Sequence, residues 1–175
     1  AVTKLVNELY GDVFSKIYGY HSTGLRYFNV FGPRQNPNGA YAAVIPLFIR
    51  AALNNDMPTI NGDGFTNRDF TFIDNVVQAN IKALFQPGVT QHNVFNIACG
   101  EQTNLNELWQ YLSDLAGTCT AAIYAPERTG DVRQSLASIE KASVLLRYMP
   151  EIQVKEGLKL TYEWYKKNEN SKQLA

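Results

Sequence analysis

A chain of 175 residues, 45% of them hydrophobic, carries enough apolar material for one packed domain, and that content excludes a disordered chain. Sixteen basic residues cancel sixteen acidic ones, which leaves no electrostatic footprint for nucleic acid, and no apolar run approaches the ~20 residues that span a bilayer. Two histidines and two cysteines in no paired spacing suggest no metal site, and lone thiols such as Cys99 and Cys119 fit the cytosol.

Val2, Leu5, Val6, Leu9, Val13 and Ile17 recur at helical spacing and predict one amphipathic helix over 1–18. Leu25 to Phe31, polar only at Arg26 and Asn29, predicts a strand buried on both faces, ended by Gly32-Pro33. A polar loop with Asn36-Pro37-Asn38-Gly39 as turn chemistry follows, then a helix from about Val44 to Asn54. Thr59-Ile60 and Phe70 to Ile73 read as short strands on either side of an Asn61-Gly62-Asp63-Gly64 turn.

Asp74 is placed to cap the next helix, and Val94 to Ala98 reads as a strand. Asn104 with Glu107 resembles a capping box that opens a helix through Leu115. Ala121 to Ala125 is a further strand, and Ser138 is placed to cap a helix to Tyr148. Pro150 breaks that helix, and a last one runs from Val154 to Lys167 before a polar tail expected to fray from Asn168. Helices alternating with few strands give an α/β class, with too few strands for a complete doubly wound sheet.

Gly62-Asp63-Gly64 is followed by a predicted strand rather than a helix, so it reads as a hairpin turn and not as a dinucleotide loop. Arg68 and Arg128 sit in loops, where guanidinium forks could converge on a diphosphate or could simply pair with Asp69 or Asp131. Asn29, an amide inside an apolar run, either ties backbone together or points from a strand end toward a ligand.

Leu25-Arg26-Tyr27-Phe28-Asn29-Val30-Phe31-Gly32-Pro33-Arg34, Arg68-Asp69-Phe70 and Arg128-Thr129-Gly130-Asp131, in this order and spacing, resemble the extended short-chain dehydrogenase/reductase family, most closely its nucleotide-sugar 4-epimerases. Lys4 matches the Lys of that family's Tyr-x-x-x-Lys motif, which would put the Tyr one position before Ala1. The resemblance implies the C-terminal substrate-binding portion of an extended Rossmann-type epimerase, the NAD-binding half being absent. Residues 1–32 would be the end of the dinucleotide domain, 33–170 the nucleotide-sugar lobe and 171–175 a polar tail.

By that resemblance Lys4 is catalytic and, with Tyr27, faces NAD. Asn29, Ala43, Val44, Arg68 and Arg128 would meet the diphosphate, Thr59 and Asn61 the uracil, and Asp131 the ribose. Ser135 stands where glucose/galactose epimerases carry a bulky Tyr, and so leaves room for a 2-acetamido group, unless neighbours close the gap. The stretch from Pro37 to Pro46 also looks like enzymes acting on UDP-N-acetylhexosamines or their uronic acids. The implied activity is an NAD-dependent UDP-N-acetylhexosamine 4-epimerase acting through a 4-keto sugar. The implied protein is a cytoplasmic homodimer paired through its first helix, with no membrane or nucleic-acid partner. Two alternatives remain: another reaction of the family (dehydratase, reductase or decarboxylase), or a non-catalytic UDP-sugar-binding or assembly module. The chain by itself is expected to be inactive and not to bind NAD.

Overall fold

The structure, a computed structural model, describes residues 2–38, 43–86 and 91–173, the last five of these by backbone alone. Helix α1, Val2–Tyr18, precedes strand β1, Thr23–Tyr27, and strand β2, Val30–Phe31. Helix α2, Val44–Asn54, leads into β3, Thr59–Asn61, then β4, Asn67–Arg68, β5, Thr71–Phe72, and helix α3, Ile73–Phe85. The remaining elements are β6, Asn93–Ile97; β7, Thr103–Asn104; α4, Leu105–Ala116; β8, Ile123–Ala125; α5, Glu140–Leu146; and α6, Val154–Gln173. The α/β class expected from the sequence is the class observed.

The strands pair in twos: β1 with β6, β2 with β5 and β3 with β8 run parallel, and β4 with β7 runs antiparallel. No hairpin forms across Gly62–Gly64, which corrects the reading of that turn. The partner of β3 is β8, and the turn instead packs on the start of α4, where Asn106 N donates to Gly64 O at 3.2 Å.

The expected single strand from Leu25 to Phe31 is also corrected. It breaks at Asn29, whose φ of 34° lies in the left-handed region that Asn tolerates better than most residues. There Asn29 Nδ2 donates to Asp69 O at 2.9 Å, and Asn29 O accepts from Thr71 N at 3.3 Å. Nor is the run buried on both faces. Arg26 and Tyr27 are exposed, and Arg26 reaches out to Glu8 in a two-pronged pair at 2.7 and 2.5 Å.

Two predicted caps are displaced. Helix α3 starts at Ile73 with Phe72 as its cap residue, so Asp74 lies inside the first turn, where its charge suits the helix dipole. Ile139, not Ser138, precedes α5, and it makes no side-chain cap. The Asn104–Glu107 capping box is present in full. The tail does not fray at Asn168: α6 continues to Gln173, and Asn168 Nδ2 bonds the Trp164 carbonyl one turn back at 2.7 Å. Ala1, Gly39 to Ala42 of the Pro37–Pro46 stretch, and Leu174-Ala175 lie outside the described residues.

The main core joins α2, α4 and α6 beneath Phe31, Ile60, Phe70 and Phe72, with Phe48 edge-on to Trp109 at 5.8 Å. A second cluster sets Phe95 and Ile97 of β6 against Ala79, Ala142, Leu146 and Tyr148. Helix α1 joins neither. Its apolar side chains stand exposed, and polar contacts tie it down: Glu8 to Arg26, and Ser15 Oγ accepting from His92 N at 2.8 Å.

Candidate functional site

A cavity of about 280 Å³ opens where β2, the start of α2, the end of β3, β4 and the segment after β8 meet. Its chemistry follows from what each element leaves unsatisfied. Helix α2 begins at Val44 behind Ala43, which offers no side-chain cap, and Pro46 in the first turn has no N–H. Ala43, Val44, Ile45 and Leu47 border the cavity, so that helix end presents amides that no described side chain caps and the positive pole of its dipole.

Arg68 enters from β4. Its side chain is only 16% exposed, and it donates to Asn67 O at 2.9 Å, to Val132 O and to the Asp131 carboxylate. Arg128 borders the same cavity; its carbonyl accepts from Asp131 N at 3.2 Å, and its side chain makes no ion pair or hydrogen bond among the described residues. Two guanidinium groups against one carboxylate leave the cavity lining with one net positive charge, and this together with the α2 terminus makes an anion site. Arg133 holds the arginine-bearing segment in place, reaching Asp63 Oδ2 at 3.0 Å and Glu127 Oε1 at 3.2 Å.

Of the residues expected at the site, Asn29, Ala43, Val44, Thr59, Asn61, Arg68, Arg128 and Asp131 line this one cavity. Lys4, Tyr27 and Ser135 do not. Lys4 stands exposed on α1; Tyr27 is 47% exposed with its hydroxyl on Asn80 Oδ1 at 3.0 Å; Ser135 N donates to Asn67 O at 3.2 Å. Thr66, Phe70 and Leu105 also line the cavity, and sequence reasoning assigned them no role. Phe70 lay inside a quoted motif, whereas nothing in the sequence distinguishes Thr66 from any other threonine.

Asp69 behaves unlike the ion-pair partner its place beside Arg68 suggested. It is 0% exposed and accepts from Cys99 N at 2.9 Å, Gly100 N at 3.1 Å and Ala137 N at 3.3 Å. Burial raises its carboxyl above the ordinary aspartate value, and the three amide hydrogen bonds oppose that rise. Next to it, burial and then the charges of Glu101 and Asp69 push the Cys99 thiol up to about 12, so it is no nucleophile at neutral pH.

Among the described residues no three His, Cys, Asp or Glu side chains group as metal ligands, and no helix is long and apolar enough to cross a membrane.

The model of the NAD dependent epimerase/dehydratase family matches residues 1–98, more than half of the chain. The chain belongs to that family. A curated relative, a putative UDP-glucose 4-epimerase of Methanocaldococcus jannaschii, is 38% identical over 167 residues, covering 95% of this chain and 53% of the relative. The solved UDP-glucose 4-epimerase of Thermotoga maritima with UDP-glucose superimposes with a TM-score of 0.89 at 39% identity, over 95% of this chain and 53% of that one. The UDP-N-acetylglucosamine 4-epimerase of Methanobrevibacter ruminantium M1, solved with UDP-N-acetylmuramic acid, gives 0.87 at 38% identity, over 94% and 52%. The chain thus spans about half the length of the relatives it matches.

Proposed function

We propose that this chain supplies the nucleotide-gripping lobe of an NAD-dependent UDP-N-acetylhexosamine 4-epimerase. The observation that carries the reading is the convergence of Arg68, Arg128 and the N-terminal end of α2 on one cavity. Residues 33–170 form the nucleotide-sugar lobe in this reading, and 1–32 the end of the dinucleotide-binding domain.

A 4-epimerase must release the sugar ring enough to turn over while keeping hold of the rest of the substrate. That requirement puts the binding energy at the nucleotide end. Arg68 and Arg128 donate to diphosphate oxygens, backed by the amides of the α2 terminus, and Asn29 reaches the same group from the β1–β2 break. Thr59 and Asn61 line the base, and Asp131 accepts from the ribose hydroxyls. Asp131 also accepts from Arg68, so in this reading one carboxylate both orients the guanidinium and serves the ribose.

NAD, when bound, supplies the acceptor and donor of hydride at sugar C4. The glycines of the 62–64 turn do not fit it, being followed by β4 rather than a helix. Lys4 and Tyr27 do leave exposed surface for its nicotinamide end. The Lys4 ammonium would favour the phenolate of a tyrosine one helical turn earlier, the general base of this reaction class.

The N-acetyl preference rests on the small side chain of Ser135 and on the likeness to the N-acetylglucosamine enzyme. Pairing of two α1 helices would cover the exposed Leu5, Leu9, Tyr10 and Ile17 and form the homodimer. The test is proton NMR of the full-length protein with NAD and UDP-N-acetylglucosamine. Appearance of the C4 epimer supports the reading, a dehydrated or decarboxylated product assigns the site to another reaction of the family, and no conversion overturns it.

A further inference from the structure

Three consecutive residues, of which Arg68 lines the cavity, hold the 131–137 segment at successive points. Asn67 N donates to Arg133 O at 2.9 Å, and Asn67 O accepts from Ser135 N at 3.2 Å. Arg68 holds Asp131 and the Val132 carbonyl. Asp69, fully buried, takes the Ala137 amide and, through the same carboxylate, those of Cys99 and Gly100 beyond β6. Its own carbonyl accepts from Asn29 Nδ2. Asp69 does not line the cavity described above, but Arg68 beside it and Asn29, bonded to its carbonyl, both do.

We propose that Asp69 is a positioning residue of the nucleotide site, the anchor that sets Arg68 and the 131–137 segment in binding geometry. The proposal rests on the reading of the cavity given above. A carboxylate suits the role because both oxygens accept: Oδ1 takes Cys99 N, and Oδ2 takes Gly100 N and Ala137 N. An asparagine, whichever way its amide is turned, points N–H groups at one of those donors and frees that end of the network. With its oxygen on Gly100 N and Ala137 N it turns N–H groups on Cys99 N, and turned the other way it releases Ala137; either displaces residue 69 and with it the direction of the neighbouring Arg68 fork.

The test is a double-mutant cycle in the full-length protein, read as UDP affinity by calorimetry. Asp69→Asn should weaken UDP roughly tenfold or more, the scale of one misaligned charge-assisted hydrogen bond. In an Arg68→Ala background the same substitution should weaken UDP by a clearly smaller factor, only the ribose contact of Asp131 being left to position. A merely structural aspartate would weaken UDP equally in both backgrounds, which overturns the proposal.

If Asp69→Asn does not fold, backbone hydrogen exchange of the wild-type protein decides. The Gly100 and Ala137 amides, away from the cavity, should gain protection when UDP binds, and unchanged protection overturns the proposal. Wild-type protein with no UDP affinity overturns the reading of the cavity itself, and the proposal with it.

Discussion

Replacing Gly64 by alanine should destabilise the protein by about 2–4 kcal/mol, from two separable causes. Gly64 has φ +77°, and an L side chain there costs about 1–2 kcal/mol. The added Cβ would also overlap the Asn106 carboxamide, with Nδ2 only 2.6 Å away. Asn106 cannot swing aside freely, because its Nδ2 donates to Asp63 O at 3.1 Å and its Oδ1 accepts from Tyr124 Oη at 2.9 Å. Displacing it weakens two hydrogen bonds, together about 1–2 kcal/mol. The sum corresponds to roughly 4–16 °C in Tm for a domain of this size. Urea denaturation followed by tryptophan fluorescence measures it, with Asn106→Ala as the second background. There only the backbone strain remains, so Gly64→Ala should cost about 1–2 kcal/mol. A loss below about 0.5 kcal/mol, or an equal loss in both backgrounds, refutes the reasoning.

Gly157→Ala in α6 should destabilise by about 1–2 kcal/mol despite alanine's helix propensity. The new Cβ would stand 2.7 Å from Phe72 and 2.9 Å from Phe31, both locked in the core, and thermal unfolding reads the sign. At pH 8 a thiol reagent should modify exposed Cys119 and spare Cys99 until the protein unfolds; two reactive thiols in the native state contradict the burial argument. The Arg26 hydrogen bond holds the Glu8 carboxyl below its ordinary value, so this pair stabilises at neutral pH and the effect is lost as pH falls through the lowered value. Because Arg26 is exposed and Glu8 only part-buried, Glu8→Gln should cost less than about 1 kcal/mol at pH 7, and the two stability curves should converge in acid.

What the sequence disclosed depended on whether a signal was local. Helix α2 and the Asn104–Glu107 box follow from spacing within a turn or two, and both lie where that spacing put them. The break at Asn29 depends on Asp69 and Thr71, some forty residues on, so a run of apolar letters reads through it as one strand. The glycines at 62 and 64 looked like a hairpin because the true partner of β3 lies beyond α4.

At the site, arginines and a glycine-bordered aspartate stand out by chemistry, and the family resemblance added Ala43, Val44, Thr59 and Asn61, which have no side-chain signature of their own. Of the two carboxylates the sequence offers the arginines, Asp131 pairs with Arg68 and Asp69 does not, because its donors are backbone amides, which no sequence pattern advertises. Helix α1 shows the converse: a regular apolar stripe that stands exposed and outside both core clusters.

The most direct test of the account is calorimetry of UDP and of uridine on the full-length protein and its Arg68→Ala and Arg128→Ala variants. Each substitution should weaken UDP by about 10–150-fold, the range of a lost charge-assisted hydrogen bond, and leave uridine nearly unchanged. UDP affinity unaffected by either change, or uridine falling in step with UDP, would contradict a diphosphate held between the two guanidinium groups.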